Sequence, residues 1–371
     1  MMVARGLEGV VAGTTRLSSI IDGTLAYVGI DIDELAANAS YEEVVYLLYH
    51  GELPTRTQLE ALQGELARQR ALPEGVVRLL AEAPRAVPMD LLRTAVSALA
   101  WYEVDPNTVE RQAAIAKGLR LVAQVPTIVA TIGRLRRGLA PVAPPADEPS
   151  TARAFLRTLH DREPSELEVE AMNKILVLHA DHEFNASTFA ARVVAATLAD
   201  MHAAVTAAIA ALKGPLHGGA NAAVMQMLEE IGTRDRVEPY ITEKLARKER
   251  VMGFGHRVYK GEDPRAKWLR DLSRRLGEAR GDLRWYELSV AIAEVMQREK
   301  GLFPNVDFYA ASVYHYLGIE KELMTPVFAA SRIAGWTAHV LEQQADNRLI
   351  RPRAEYVGPT NRHYVPLGQR G

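Results

Sequence analysis

The sequence predicts an all-α protein, and three observations lead to that prediction. Helix-start patterns recur along the chain, and small or apolar residues repeat with the period of a helix over long stretches. No segment alternates apolar and polar residues for long, apart from a short strand-like piece near residues 25–30. A chain of 371 residues is too long for one small core, so we expect two domains or one large one.

Three capping boxes mark the first predicted helix starts. In this pattern a serine or threonine caps the first turn, and an acid or amide three residues later bonds back to the cap. The pairs are Ser40 with Glu43, Thr55 with Gln58, and Ser165 with Glu168. The first helix carries YEEVVYLLYH and is expected to stop at Gly51, because glycine suits the left-handed conformation of a C-cap. The second is expected to reach about residue 69.

Residues 187–213 are rich in alanine and predict one buried helix of about seven turns, ending at Gly214-Pro215. Asp200 and His202 lie near the centre of its most apolar part. A charge at that depth in a bilayer would cost about 2.5 kcal/mol or more. The stretch is therefore predicted to be a core helix, and no membrane contact is expected.

Two segments lack any period. Residues 140–150, APVAPPADEPS, are rich in proline and predict a linker or surface loop. The tail from Arg348 onward is predicted to be extended. Because it carries tyrosines and a valine but no partner strand of its own, it could wrap a neighbouring subunit.

The composition narrows the possible functions. The formal net charge is −2, from 44 basic and 46 acidic side chains, so no general attraction to nucleic acid or an anionic membrane is expected. An anionic ligand must instead meet a local cluster of positive charge. The chain has no cysteine, which excludes disulfides, thiolate metal sites and a cysteine nucleophile. Since the N-terminus lacks the apolar core of a secretion signal, a cytoplasmic protein is expected.

Two histidines stand in glycine-rich segments. His217 lies in GPLHGGAN, where glycines let the backbone approach a ligand closely; a helix–helix turn with an incidental histidine is the alternative. His256 follows two glycines in the basic segment VMGFGHRVYK, for which a solvated charged face is the alternative. A helix face would lose about 1 kcal/mol for each glycine, whereas a loop that binds phosphate or carboxylate requires them.

Three further segments contain charged candidates. Asp307 lies among apolar and aromatic residues in PNVDFY, so desolvation would raise its pKa, as a general base requires; capping the helix that follows is a compatible alternative. The segment HADHEFN lacks the HExxH spacing of zinc sites, which favours polar ligand recognition or helix-end packing over a metal. Arg332 falls in an otherwise apolar helix, where a buried guanidinium needs an anionic partner such as a bound carboxylate.

The motifs GPLHGGAN, GFGHRVYK followed by DPR, and NVDFY occur in an order and spacing that closely resemble the citrate synthase family. The resemblance extends to SSIIDGTLAYVGI, SYEEVVYLLYHGELPT, HADHEFNAST and IRPRAEYVGP, and it covers most of the chain. Residues 60–160 are only generically helical. The chain is similar to the short, dimeric form, because it starts almost at the N-terminal signature.

The resemblance implies a homodimer of two-domain helical subunits, in which a small domain closes over the substrates. Residues 219–318 would form that small, CoA-binding domain, and residues 1–218 with 319–371 would form the large, dimer-forming domain. The implied reaction is the Claisen-type condensation of acetyl-CoA with oxaloacetate, followed by hydrolysis of citryl-CoA to citrate and CoA. This is the entry step of the tricarboxylic acid cycle. No metal or cofactor is implied, since the CoA thioester is a substrate.

The resemblance also implies a role for each site residue. Asp307 would remove a proton from the methyl group of acetyl-CoA, and His217 would hydrogen-bond the thioester oxygen and stabilise the enol. His256 would polarise the ketone of oxaloacetate and protonate the alkoxide that forms. The 2-oxo acid would be held by His182, Arg265, Arg332 and Arg351, the last of these reaching in from the other subunit. The CoA phosphates and adenine would bind near Arg257 and Lys260.

Three alternatives remain open from the sequence. A 2-methylcitrate synthase would use propionyl-CoA with the same residues, since one extra methylene in a pocket is worth only about 1–3 kcal/mol. A helical dimer that binds an acyl-CoA or dicarboxylate without catalysis would be free to lose a catalytic residue, and all three are present. A metal hydrolase built on His179, Asp181 and His182 would lose its activity with a chelator.

Overall fold

The chain opens with a small antiparallel sheet. A computed structural model describes residues 5–255, 259 and 261–370. Its strands, in sheet order, are β1 Ser18–Ile21, β2 Thr24–Tyr27 and β3 Ile30–Asp31. Between β1 and β2, Asp22 and Gly23 both have a positive φ, of 50° and 81°. Such an Asp-Gly turn matches the twist of a hairpin, and the strand predicted near residues 25–30 belongs to it.

Helices form the rest of the regular structure, and the all-α prediction is confirmed. Sixteen α-helices lie within the described residues. They are α1 Ile32–Asn38, α2 Tyr41–His50, α3 Arg56–Gln69, α4 Glu74–Glu82, α5 Pro88–Leu99, α6 Arg111–Arg136, α7 Thr151–His160, α8 Glu166–His179, α9 Ala186–Ala195, α10 Met201–Leu212, α11 Ala220–Ile231, α12 Val237–Ala246, α13 Ala266–Arg280, α14 Arg284–Lys300, α15 Val306–Tyr316 and α16 Met324–Ala345.

All three predicted capping boxes form. At the start of α2, the Ser40 side chain accepts the N–H of Glu43, and the Glu43 carboxylate accepts the N–H of Ser40. The same reciprocal pair opens α3 at Thr55 and α8 at Ser165. Helix α2 ends at Gly51, which adopts the predicted left-handed conformation.

The single helix predicted over residues 187–213 is wrong, because the structure divides it into α9 and α10. Leu198 adopts a left-handed conformation (φ 64°), and the Asp200 side chain accepts the N–H of Ala203 at 3.0 Å to cap a new helix. An aspartate that can bond the backbone competes with helix continuation. The run of alanines concealed this break, and the two helices pack against each other.

Helix α16 lies at the centre of the core. Every residue from Met324 to Leu341 is buried, and the helix packs against α2, α6, α8, α9 and α10. Helix α6 is long and apolar enough to cross a membrane, yet 83% of its most apolar window is buried inside the fold. Burial on all sides explains why both helices carry apolar residues around their whole circumference, with few polar ones among them.

Helices α11 to α15 form a second group, in which α13 packs on α14 and α15. Helix α13 also contacts the first group through polar side chains. Arg275 donates two hydrogen bonds to Glu170 of α8, at 2.8 and 2.7 Å, and Trp268 donates to Asp33 at 2.7 Å. The predicted small domain, residues 219–318, spans this second group, and its closure as a unit stays a prediction.

The two segments predicted to be irregular contain no α-helix or strand. Residues 140–150 run over the surface, and the buried Arg70 donates to two backbone carbonyls at the end of this loop. The tail beyond α16 is extended and almost wholly exposed, including Tyr356, Val357 and Tyr364. These apolar side chains contact little of their own chain.

Candidate active site

A cleft of about 1100 Å³ brings together residues that are far apart in the sequence. Its walls come from the loop after α8, the turn after α10, the segment 249–255, the N-terminus of α15, and α16. Five of the predicted site residues line it: His182, His217, Arg265, Asp307 and Arg332.

The other predicted site residues are not among the cleft's described walls. His256, Arg257 and Lys260 lie outside the residues that the structure describes. Arg351 lies in the exposed tail and does not line the cleft of its own chain. Its action in the cleft of a partner subunit stays a prediction.

Asp307 lies in the first turn of α15, where one expectation about it is wrong. The sequence allowed Asp307 to cap the helix, but the cap is Asn305, whose side-chain oxygen accepts the N–H of Asp307 at 3.1 Å. Asparagine is as good a cap as aspartate, and here it precedes the first turn. The Asp307 carboxylate is therefore not occupied by capping and remains available to the cleft.

Burial raises the pKa of Asp307 to about 6, as the apolar sequence around it predicted. The nearby Asp263 also raises this pKa, whereas the guanidinium groups of Arg265 and Arg332 lower it. At neutral pH the carboxylate is ionised, but it holds a proton more strongly than an ordinary aspartate. This combination suits a general base that works near neutral pH.

His217 lies in the glycine-rich turn that follows α10. A Cβ at Gly218 would come within 2.4 Å of the Leu212 carbonyl oxygen, so this position requires glycine. The backbone N–H of Ser187, at the start of α9, donates to His217 Nε2 at 3.3 Å. Because Nε2 then accepts, the ring proton belongs on Nδ1. Burial, with a smaller effect from Arg332, lowers the pKa of His217 to about 4, so the ring is a neutral donor at neutral pH.

The hydroxyl of Ser187 links His217 to the core. Ser187 Oγ lies 2.8 Å from His217 Nε2 and 2.8 Å from Asn185 Oδ1, and it accepts the indole N–H of Trp336 at 3.1 Å. Ser187 and Trp336 are fully buried. An indole nitrogen can only donate, so Trp336 holds this hydroxyl in place and thereby helps to orient the His217 ring.

Arg265 immediately precedes α13 and is buried against Asp263. Its Nε and Nη2 donate to the two carboxylate oxygens of Asp263, at 2.9 and 2.8 Å. Burial opposes the charge on Arg265, but Asp263 outweighs that effect and holds the arginine pKa above its usual value. Asp263 also accepts the N–H of Val306 at 3.1 Å, which connects Arg265 to the first turn of α15. The remaining N–H groups of Arg265 can bind a carboxylate.

Arg332 lies in α16 and is only 2% exposed. Its Nε donates to the His179 carbonyl oxygen at 2.6 Å, and its guanidinium lies over the Phe328 ring, 4.8 Å from the centroid. Burial lowers the pKa of Arg332 to about 10, so it is charged at neutral pH. A buried cation at the wall of a cleft favours an anionic ligand there, as expected from the sequence.

His182 borders the cleft from the loop after α8. Its Nε2 lies 3.1 Å from the hydroxyl of Tyr259, and the two rings meet edge to face with centroids 5.8 Å apart. This contact joins the HADHEFN segment to the segment that follows His256. A polar ligand at His182 would therefore also lie near Tyr259.

Two other polar residues of HADHEFN, His179 and Asp181, are fully buried and point into the core. His179 Nδ1 donates to the Ile175 carbonyl oxygen at 2.8 Å, and Asp181 Oδ2 lies 3.0 Å from His339 Nε2. Among the residues that the structure describes, no three histidine, aspartate or glutamate side chains are arranged to hold a metal ion. The segment combines helix-end packing at His179 and Asp181 with residues 182–185, which line the cleft.

Several residues at the site were missed by the sequence analysis. They are Ser187, Arg250, Tyr259, Asp263 and Lys300. The proximity of Asp263 to Arg265 in the sequence was a usable signal, because an acid two residues from an arginine can pair with it. Arg250 belongs to the basic stretch around His256, but no local pattern marks Lys300, and only the fold brings the two cations to the same cleft.

Comparison with known protein families gives one consistent match. A family model described as citrate synthase, C-terminal domain, matches residues 6–353. Citrate synthase 2 of Bacillus subtilis is 54% identical over 100% of both chains, and citrate synthase of Haloferax volcanii is 50% identical over 99% of this chain and 98% of that protein. A 2-methylcitrate synthase of Shewanella oneidensis is 43% identical over 100% of this chain and 98% of that protein.

Solved structures show the same relationship. Citrate synthase from Pyrobaculum aerophilum superposes with a TM-score of 0.90 at 40% identity, over 99% of this chain and 95% of that one. Citrate synthase from Thermoplasma acidophilum, in a ternary complex with carboxymethyl coenzyme A and oxaloacetate, gives a TM-score of 0.93 at 34% identity over 100% of both chains.

Proposed function

The chain belongs to the citrate synthase family, and we propose that it condenses acetyl-CoA with oxaloacetate and hydrolyses citryl-CoA to citrate and CoA. The observation that carries the proposal is the cleft itself. It places one carboxylate of raised pKa and one neutral histidine beside two buried arginines. This reaction needs a base, a hydrogen-bond donor and a binding site for carboxylates.

The first step we assign to Asp307 and His217. The methyl group of a thioester is a weak acid, so a carboxylate can remove its proton only if the charge on the thioester oxygen is stabilised as it forms. Asp307 takes the proton, and the Nδ1–H of His217 donates to the thioester oxygen. A neutral donor matches the weak basicity of that oxygen, and the lowered pKa of His217 keeps it neutral.

The second step forms the carbon–carbon bond. The enol carbon attacks the ketone carbon of oxaloacetate, and His256, which lies outside the described residues, protonates the alkoxide. Arg265 and Arg332 bind the carboxylates, because a guanidinium pairs with a carboxylate through parallel hydrogen bonds. His182, which lines the same cleft, adds a hydrogen bond. Water then adds to the citryl thioester, the carbon–sulfur bond breaks, and CoA leaves as a thiol.

The cationic side chains at the outer part of the cleft are assigned to CoA. Arg250 and Lys300 line the cleft, and the predicted pair Arg257 and Lys260 follows closely in the sequence after Arg250. Phosphate groups carry the charge of CoA, and lysine and arginine are their usual partners. The proposed reaction uses side chains as its acid and base and needs no metal or redox cofactor.

A homodimer completes the proposed site. Arg351 lies in an extended tail whose apolar side chains are exposed, which suits a tail that lies on a partner subunit. Co-expressing Arg351→Gln and Asp307→Asn subunits tests this. In a mixed dimer one site would have both substitutions and the other neither. Because about half of randomly paired dimers are mixed, roughly a quarter of wild-type activity should return. Two inactive parents that give no activity on mixing would place Arg351 in its own subunit's site, and an active Arg351→Gln parent would place it in neither.

A direct assay tests the reaction itself. The purified protein is supplied with acetyl-CoA and oxaloacetate, and the released CoA thiol is followed with a thiol reagent. The chain has no cysteine, so the protein contributes no thiol signal. We expect one thiol and one citrate for each acetyl-CoA consumed. Thiol release that does not require oxaloacetate would identify a thioesterase and overturn the proposal.

The second candidate substrate is propionyl-CoA. A relative that is 43% identical is named 2-methylcitrate synthase, and the proposed residues would serve either thioester. We rank acetyl-CoA first because the relatives at 54% and 50% identity are named citrate synthases. The measurement is kcat/KM for each thioester with oxaloacetate. A preference of about tenfold or more for propionyl-CoA, beyond what one methylene commonly contributes, would reverse the ranking.

A further inference from the structure

One face of α16 contacts three residues of the segment 179–187, which includes the cleft-lining residues 182–186. Arg332, Trp336 and His339 are spaced by four and three residues, so they lie along the same side of the helix. All three are buried. Arg332 donates to the backbone of His179, Trp336 donates to Ser187, and His339 contacts Asp181. The reaction proposed above gives roles to Arg332 and, through Ser187, to Trp336, but none to His339.

The proton of His339 can be assigned from its neighbours. Arg192 Nη1 lies 3.1 Å from His339 Nδ1, and a guanidinium can only donate, so Nδ1 must accept. A neutral ring then has its proton on Nε2, which lies 3.0 Å from Asp181 Oδ2. His339 therefore donates to a carboxylate that is fully buried. Arg192 is in turn held by Glu342, at 2.5 Å, and by Gln343, at 3.2 Å.

Asp181 is the residue immediately before His182 in the chain. Its Oδ2 accepts a second hydrogen bond, at 2.5 Å, from the hydroxyl of Ser18 in β1. Burial opposes the charge on Asp181, but His339, Arg332 and Ser18 together hold its pKa below the usual value. The carboxylate is thus an ionised anchor inside the core.

Glu183, the residue after His182, is held by the same Ser18 hydroxyl. Ser18 Oγ accepts the N–H of Glu183 at 2.8 Å, and the Glu183 carboxylate accepts the N–H of Ile20 at 2.8 Å. Glu183 has a φ of 49°, a conformation that a non-glycine residue adopts only when its surroundings enforce it. The backbone is therefore restrained on both sides of His182, by contacts that meet at Asp181.

We propose that His339 is a positioning residue for the condensation. Through Asp181 it fixes the backbone that carries His182, and it thereby sets the position of the imidazole that binds the 2-oxo acid. The proposal rests on the role of His182 in the proposed function. It gives a role to a buried histidine, arginine and aspartate, a kind of group that apolar side chains of similar volume often replace in a core without loss of stability. A displacement of His182 by about 1 Å would suffice to impair binding.

The test replaces His339 by leucine and by glutamine. In His339→Leu we expect KM for oxaloacetate to rise about tenfold or more, while KM for acetyl-CoA stays within about twofold. His339→Gln, whose side-chain amide can still donate to Asp181, should recover most of the loss. Ser18→Ala removes the other donor to Asp181 and should raise the same KM. It gives a second variant if His339→Leu does not fold.

His202→Leu is the matched control. His202 is a histidine of the same burial in α10, and its neighbouring acids are Glu103 and Asp200, away from His182. This variant should lose stability without a selective change in KM for oxaloacetate. If the folded His339→Leu variant keeps the wild-type KM for oxaloacetate, or if its KM values for oxaloacetate and acetyl-CoA rise together, the proposal is overturned. Wild-type turnover in the same assay tests the proposed function separately, whatever the variants do.

Discussion

Asp263 and Arg265 form a buried ion pair in which both carboxylate oxygens are used, with Oδ1 2.9 Å from Nε and Oδ2 2.8 Å from Nη2. Asp263 Oδ2 also accepts the N–H of Val306, the residue before Asp307. One carboxylate therefore holds the arginine proposed to bind oxaloacetate and the helix turn that carries the proposed base. Its negative charge also acts on the pKa of Asp307.

Replacing Asp263 by asparagine should disturb both Arg265 and the helix turn that carries Asp307. We expect KM for oxaloacetate to rise at least about tenfold, because Arg265 loses the partner that orients it. The free energy of unfolding should fall by about 3–5 kcal/mol, since a buried guanidinium is left without its counter-charge. Steady-state kinetics and denaturant unfolding measure these effects. Asp271→Asn is the control: Asp271 forms an exposed pair with Arg274 on α13, and its loss should cost no more than about 1 kcal/mol.

The activity should fall on the acid side with the titration of Asp307. This carboxylate must be ionised to accept a proton, and its pKa is raised to about 6 by burial. The charged groups that act on it are Arg265, Asp263 and Arg332. We expect kcat/KM for acetyl-CoA to drop about tenfold for each pH unit below that pKa. The range from pH 7 to pH 5 brackets the pKa of about 6. If kcat/KM for acetyl-CoA stays constant over this range, Asp307 is not the base.

Asp307→Asn should lower kcat by about 10²–10⁴, the usual contribution of a general base, and leave oxaloacetate binding largely intact. Single-turnover kinetics and calorimetric titration of oxaloacetate measure the two effects. Glu278→Gln, an exposed carboxylate on α13, should change neither. Undiminished turnover by the asparagine variant would remove Asp307 from the mechanism.

The same variant should be more stable than the wild type at neutral pH. The folded-state pKa of Asp307, about 6, lies above its ordinary value of 3.8, so the folded chain binds this proton more tightly than the unfolded chain. The ionised carboxylate therefore destabilises the fold above pH 6, and that cost disappears as the pH falls towards 3.8. Asp307→Asn should raise the free energy of unfolding at neutral pH by about 1–3 kcal/mol. A gain that does not shrink on acidification would point to another cause.

Trp336→Phe should reveal the link between the core and His217. The substitution keeps the aromatic packing but removes the only donor that the indole offers to Ser187 Oγ. We expect a loss of stability of about 1–3 kcal/mol and a lower kcat with a nearly unchanged KM for oxaloacetate. Trp285→Phe is the matched control, because the indole nitrogen of Trp285 has no hydrogen-bond partner within the described residues. Equal effects of the two variants on kcat would argue against a role for the Ser187 contact.

Local patterns in the sequence predicted much of the helical framework. The capping boxes at Ser40, Thr55 and Ser165, and the stop at Gly51, depend on hydrogen bonds between residues three or four apart, so the sequence contains all the partners. The break at Leu198 and the cap at Asn305 were missed although they are local. At Leu198 the helix propensity of the alanines competed with the capping tendency of Asp200. At α15 two neighbouring residues, Asn305 and Asp307, could each have capped the helix.

The site likewise contains some residues that local sequence patterns identified and others whose contacts depend on the tertiary structure. The residues with glycine or apolar neighbours, His217 and Asp307, were identified from the sequence, and the raised pKa of Asp307 followed from those neighbours. The contact of Trp336 with Ser187 joins positions 149 residues apart, and that of His339 with Asp181 joins positions 158 apart. No local pattern records such pairs, because they form only when α16 is buried between α8 and α9. The sequence by itself determined which chemical groups the site contains. Tertiary packing decided their orientation, since a buried donor or acceptor takes its direction from the partner that the fold brings to it.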